Sequence, residues 1–159
     1  MDRIDRRATL AMLGAAAVAA SCPGAALAAT AGPFMMWRDP GCGCCLDWAR
    51  RIEAAFGRRL AVVEAPDMVA IKRARGVPEA LRSCHTALIA SLVIEGHVPP
   101  ADIKRLIASR DASIRGLAVP GMPVGSPGMD VGHELRVPYH VYAFGPGHRP
   151  SIFASHNQG

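Results

Sequence analysis

Beyond residue 33 the chain alternates short apolar runs with amphipathic stretches, and the two periods mark its elements. Phe34-Met35-Met36-Trp37 is an apolar run of strand length, broken by Asp39-Pro40-Gly41. From Cys44 to Phe56 the spacing is helical. Cys45, Ala49, Ile52 and Phe56 share one face, and Asp47, Arg50, Arg51 and Glu53 face the other way. Gly57 is a natural stop, because glycine adopts the left-handed conformation that ends many helices. Leu60 to Glu64 predicts a second strand. Pro66-Asp67 opens a second helix, which carries Met68, Ile71 and Lys72 to Arg75, where Gly76-Val77-Pro78 ends it. Pro78 to Arg82 reads as one further turn. Thr86 to Ala90 and Leu92 to Gly96, split at Ser91, predict an antiparallel hairpin. Pro99-Pro100 opens a third helix with Ile103, Leu106 and Ile107 inward and Lys104, Arg105 and Arg110 outward.

The predicted order is β-α-β-α-β-β-α. A βαβ unit followed by a hairpin and a closing helix is the thioredoxin-type layout, so the expected class is α/β, a thioredoxin-like single domain over residues 34–156. Gly116 to Gly132 is rich in Gly, Pro and Met and shows no period, which predicts an ordered loop. Tyr139 to Phe144 and Ser151 to Ala154 predict two terminal strands around a Gly-Pro-Gly turn.

The N-terminus changes the picture. Arg3, Arg6 and Arg7 precede the apolar stretch Ala8–Ala29, which contains Ala26-Leu27-Ala28. A basic start, an apolar middle and an A-x-A site predict an export signal over residues 1–28, with 29–33 as a flexible leader. The twin arginine before Ala8-Thr9-Leu10 points to the route that exports folded proteins. A competing reading takes Ala19-Ala20-Ser21-Cys22 as a lipoprotein site, which would lipidate Cys22 and anchor the chain to a membrane. Removing residues 1–28 takes away three Arg and two Asp, so the formal charge falls from +5 to +4. That charge is scattered and aromatics make up only 5% of the residues, which argues against a nucleic-acid partner.

Four cysteines remain: Cys42, Cys44, Cys45 and Cys84. Cys42 and Cys45 form a C-x-x-C at a predicted helix start, where unpaired N–H groups and the helix dipole favour thiolate. In a thioredoxin layout the loop before the third strand meets that helix start. Ser83-Cys84-His85-Thr86 stands there, in the place of a cis-proline, so the topology brings Cys84 to the other three. Three chemistries suit the set. Crowded thiolates can bridge soft copper(I) ions. The C-x-x-C can exchange disulfides, with Cys42 as nucleophile and Cys45 as resolving thiol. Structural disulfides or a tetrahedral zinc are the third. Adjacent cysteines such as Cys44 and Cys45 seldom bond to each other.

Each secondary candidate has a functional and a structural reading. His85 is a ligand, a supporting donor, or a polar strand-end residue. His97 is a ligand or a turn residue. Met122 and Met129 bracket the Gly/Pro loop as soft thioether ligands or as packing residues. Met35 and Met36 read as core, and His133, His140, His148 and His156 show no ligand spacing.

Four blocks carry a family resemblance: Gly41-Cys42-Gly43-Cys44-Cys45, Leu81 to Thr86, Ile94 to Pro99, and Gly116 to Met129. In that order they resemble the CopG-like periplasmic metal-binding proteins of copper resistance, over about Met35 to Phe144. The resemblance implies a thioredoxin-like fold, a periplasmic location and copper binding through Cys42, Cys44, Cys45 and Cys84. It also implies a role in copper tolerance, by sequestration or by copper redox chemistry. The expected cargo is copper(I), with more than one ion per chain. The expected partners are other envelope copper-handling proteins, with no membrane contact unless Cys22 is lipidated.

Overall fold

The computed structural model describes residues 32–130 and 135–158. The predicted export segment, Cys22 and His133 lie outside the described residues. The described residues are α/β: a seven-stranded mixed sheet with three α-helices. In chain order the elements are β1 (Phe34–Arg38), α1 (Gly43–Phe56), β2 (Ala61–Glu64), α2 (Met68–Ala74), a 3-10 turn (Glu79–Leu81), β3 (His85–Ile89), β4 (Leu92–Glu95), α3 (Pro100–Ser109), β5 (Gly116–Ala118), β6 (Tyr139–Gly145) and β7 (His148–His156). Among the described residues no helix is long and apolar enough to cross a membrane.

Up to residue 109 the order is the one predicted. The sheet runs β2-β1-β3-β4-β5-β6-β7. β1 pairs parallel with β2 and antiparallel with β3, and β3 pairs antiparallel with β4. Parallel β4–β5 pairing then extends the sheet, and β6 and β7 add an antiparallel ribbon.

The predicted loop from Gly116 is corrected at its start. Gly116–Ala118 is β5, a fully buried strand between β4 and β6. Three residues are too few to show a period, and only the neighbouring strands hold them extended. Gly116 is required by close approach: a β-carbon there would collide with the Val93 carbonyl oxygen and meet the Phe144 ring at 2.7 Å.

Burial follows the pleat and the helix period. Phe34, Met36 and Arg38 are the buried positions of β1, alternating with half-buried Met35 and Trp37. On α1 the buried face is Cys45, Trp48, Ala49 and Ile52, so the predicted stripe gains Trp48, while Phe56 is half-buried. Ile89, Ile94 and Leu117 join that face in the main core. Each such side chain contributes about 1.5–3 kcal/mol by leaving water. Val77, Leu81, Val93, Ala118 and Phe144 form a second, smaller core. β2, at the edge of the sheet, is exposed along its whole length.

The β1–β3 register decides where chemistry can gather. Arg38, the last residue of β1, lies opposite His85, the first of β3. The segment leaving β1 towards Cys42 and the segment arriving through Cys84 therefore share one end of the sheet. β4 ends at the same place, because Thr86 lies opposite Glu95.

Candidate metal centre

Cys42 caps the N-terminus of α1, and Cys44 and Cys45 lie in its first turn. Arg38 anchors this approach from below, donating to the carbonyls of Asp39 (3.2 Å) and Cys42 (3.1 Å) and pairing with Glu64. Cys42 and Cys45, with Cα atoms 5.6 Å apart, are joined by a disulfide, while Cys44 and Cys84 are free thiols. The bonded pair is the one that the exchange reading names, and adjacent Cys44 and Cys45 are not bonded to each other. Cys44 Sγ lies 3.4 Å from Cys42 Sγ.

The four sulfurs lie within 4.8 Å of one another, so the structure brings together the four predicted cysteines. A second, overlapping group has the same compactness: Cys45, Cys84, His85 and His97. Cys84 Sγ is 3.3 Å from His85 Nδ1 and 3.1 Å from His97 Nε2. Both histidines are fully buried. His97 sits in the bend that follows β4 and also reaches this donor cluster. Its orientation is set from behind: Nδ1 lies 2.7 Å from the Pro127 carbonyl oxygen. A carbonyl can only accept, so the proton sits on Nδ1 and the lone pair of Nε2 faces Cys84. His85 lies against the Trp48 ring, 4.4 Å between centroids, and its Nε2 is buried without a protein partner.

Burial sets the protonation states. The Cys84 thiol is pushed up to about 12, first by burial and further by nearby Cys44, against a smaller opposing effect from the Ser83 hydroxyl. Burial holds His85 well below the usual imidazole value, and neighbouring His97 and Lys72 add to that. Burial also lowers His97, against the Pro127 carbonyl and Asp130. Both rings are therefore neutral, the form in which imidazole binds a metal.

The loop from Val119 to Asp130 closes one side. Gly128 has φ +90, and a β-carbon there would lie 2.8 Å from the Cys44 carbonyl oxygen and 3.2 Å from His97 Nδ1. Ser83 Oγ donates to the Gly121 carbonyl, and Arg51 pairs with Asp130 at 2.8 Å. Met122 is 49% exposed and Met129 half-buried. His140 and His156 lie on the terminal ribbon, against Ser155 Oγ (2.9 Å) and Asp102 Oδ2 (2.7 Å).

Sequence reasoning missed a buried charge pair beneath the cluster. Lys72 Nζ lies 2.6 Å from Glu95 Oε1 and 3.1 Å from Thr86 Oγ1. Glu95 Oε2 accepts from Thr86 Oγ1 and Oε1 accepts from the Ser83 N–H, each at 2.6 Å. Burial raises the Glu95 carboxyl, and Lys72 opposes that rise. This network holds the residue before Cys84 by its backbone. The available signal was Lys72 on the apolar face of its helix, beside Met68.

Comparison with known proteins follows the same residues. The model of a family described as "protein of unknown function, DUF411" matches residues 81–129, the part holding Cys84, His85, His97 and the covering loop. Among curated proteins none matches. Two solved structures, titled "Copper resistance protein copG" in Form 2 and Form 1, are each 42% identical with a TM-score of 0.69. They cover 77% of this chain, and the chain covers 98% and 97% of theirs. With that identity sustained over nearly the whole of those relatives, the chain belongs to the CopG copper resistance protein family.

Proposed function

We propose that this is an envelope copper-binding protein that holds copper(I) on the thiolates of Cys42, Cys44, Cys45 and Cys84, with more than one ion per chain, in copper tolerance. The observation that carries the reading is the mutual approach of the four sulfurs, within 4.8 Å of one another. Two sulfurs on one ion at about 2.3 Å stand roughly 3.8 Å apart, so the set has the spacing for bridging thiolates. Copper(I) is the soft ion that accepts such ligands at low coordination number. The names of the related solved structures support copper over zinc. The scaffold in this reading is a thioredoxin-like core, β1 to α3, whose β1–β3 register sets Cys84 against the start of α1. The export signal places the protein in the periplasm by the twin-arginine route.

The chain's own groups do the following. The Cys42–Cys45 disulfide opens by accepting two electrons and two protons from a dithiol, which closes its own disulfide. Each thiol gives up its proton as it takes a metal bond. Neutral His85 and His97 offer nitrogen donors on one side, and the loop through Gly128 limits water on another. The test is anaerobic titration of the reduced protein with copper(I) against a competing chelator. More than one copper(I) per chain is expected, with a sharp drop in Cys84→Ser. Unchanged stoichiometry in that variant sinks the shared site.

A second reading rests on the Cys42–Cys45 disulfide itself: a thiol–disulfide or copper-linked oxidoreductase using half-buried Cys42. Cys44 Sγ, 3.4 Å from Cys42, counts against a plain exchanger because it offers a wrong pairing. A disulfide-reductase assay with and without copper decides, and absence of turnover in both removes this reading.

A further inference from the structure

The two edges of the sheet are built differently. β7, at one edge, carries Pro150, which has no N–H to offer, and register shifts interrupt its pairing with β6. Proline and bulges are devices that keep a sheet edge from adding a strand. β2, at the other edge, has neither. Its four residues are all exposed and pair with β1 in unbroken register. Among the described residues six large apolar side chains are exposed, and three of them, Val62, Val63 and Val69, lie on β2 and at the start of α2. Apolar exposure is therefore concentrated beside the unprotected edge.

The backbone of β2 offers a template. The Ala65 N–H donates to the Arg38 carbonyl at 3.0 Å, and the Leu60 N–H donates to Glu53 Oε1 at 2.8 Å. Bonding groups alternate along a strand, so Ala61, Val63 and Ala65 face β1, while the N–H and C=O of Val62 and Glu64 point outward. Among the described residues no strand meets them there. Side chains alternate as well. Leu60 and Val62 line a groove of about 500 Å3 with Phe34, Leu46 and Ala49 on the α1 side. Ala61 and Val63 lie on the opposite face, in register with Met35 and Trp37.

The charges choose the occupant. Arg58 and Arg59 precede the strand, Glu64 ends it and Asp67 follows. The Arg59 side chain is 98% exposed, and Glu64 is 57% exposed even while it pairs with Arg38. A parallel copy of this segment would set like charges side by side. An antiparallel copy sets the two arginines of each chain against the two carboxylates of the other, and a two-fold axis does so twice.

We propose that β2 is the interface of a symmetric dimer, in which it pairs antiparallel with β2 of a second copy about a two-fold axis at Val62. The two Val62 residues exchange both N–H···O bonds, and Ala61 of each copy lies opposite Val63 of the other. The groove beside α1 leaves room for the second Val62 side chain. Four strand residues and their flanks make a contact at or below the about 1,200 Å2 typical of weak association, so the dimer is concentration-dependent. β2 runs parallel to β1, so Glu64 lies at the end of the sheet from which the chain leaves for Cys42. The antiparallel arrangement sends the two cysteine clusters to opposite ends and covers neither.

Sedimentation velocity on the full-length protein from about 10 μM to about 1 mM reads the association. A reversible rise from the mass of one chain, 16.7 kDa, towards twice that is expected, unchanged by a thiol reductant or a chelator. Val62→Pro removes the outward N–H on the axis, leaves the ladder to β1 whole and abolishes the rise. Arg59→Glu, at a side chain that the fold leaves in solvent, weakens association by at least about threefold. Both variants keep the circular dichroism of the parent. At high concentration amide hydrogen exchange slows at Val62 and Glu64, and not along β7.

A chain that stays monomeric to about 1 mM overturns the proposal. So does a dimer that survives folded Val62→Pro, one that dissolves with reductant or chelator, or one whose new protection falls on β7. If Val62→Pro fails to fold, Arg59→Glu decides, and an unchanged association constant in it overturns the proposal.

Discussion

Replacing Lys72 by Met keeps the length and packing of the side chain and removes its charge. Glu95 is fully buried, and Lys72 Nζ is its cationic partner at 2.6 Å. Without the ammonium the carboxylate keeps the Thr86 hydroxyl and the Ser83 N–H, but nothing balances its charge. Breaking one side of a buried pair costs about 3–5 kcal/mol, and solvent screening offers little relief to side chains 6% and 0% exposed. For a domain of this size that loss lowers Tm by about 10–20 °C. The loss depends on pH, and its sign is fixed. Burial already raises the folded-state carboxyl of Glu95, and removing Lys72 removes the main opposing effect, so it rises further. The folded variant then binds a proton that the unfolded chain has released, and stability falls as pH rises from about 4.3, the unfolded value, through the folded one. Below that window the carboxyl is neutral in both states, and the gap to the parent narrows. Thermal melts of parent, Lys72→Met and Lys72→Met/Glu95→Gln between pH 4 and 8 provide the assay. The double variant recovers most of the loss, because a neutral amide replaces the stranded charge. A Lys72→Met gap under about 1 kcal/mol with no pH dependence refutes the account of this pair.

Two further outcomes follow from the site. Loading the reduced protein with copper(I) near neutral pH releases the Cys84 proton, which burial holds on the thiol by pushing it up to about 12; a pH-stat titration detects it, and Cys84→Ser releases one fewer. Gly128→Ala places a β-carbon 2.8 Å from the Cys44 carbonyl oxygen at φ +90, so the loop must lift from His97; a cost of about 1–3 kcal/mol is expected in thermal melts.

What was legible in the chain is what neighbours along it decide. The face of α1 is set by its own 3.6-residue period, and the predicted Cys45, Ala49 and Ile52 are its buried residues. The C-x-x-C at a helix start is equally local, as is the Gly57 cap, which sits at φ +61. The hairpin from His85 to Glu95 was visible as two apolar runs, though the turn uses Ala90 at φ +57 where a glycine is usual. Its register was within reach of the same reasoning: Thr86 opposite Glu95 sets Cys84 and His85 beside Gly96 and His97.

The tertiary structure decided the rest, because each remaining feature depends on residues far apart in sequence. β5 exists because β4 and β6 supply its hydrogen bonds, and three residues carry no period of their own. Lys72 is buried because Glu95, 23 positions later, lies where its ammonium can reach. His97 faces Cys84 because the carbonyl of Pro127, 30 positions on, holds the far side of its ring. By itself the sequence determined that four thiols were available and that three of them began a helix. Folding decided which thiols pair, which imidazoles join them and which proton His97 keeps, since those choices turn on distances of a few ångströms that only long-range packing sets.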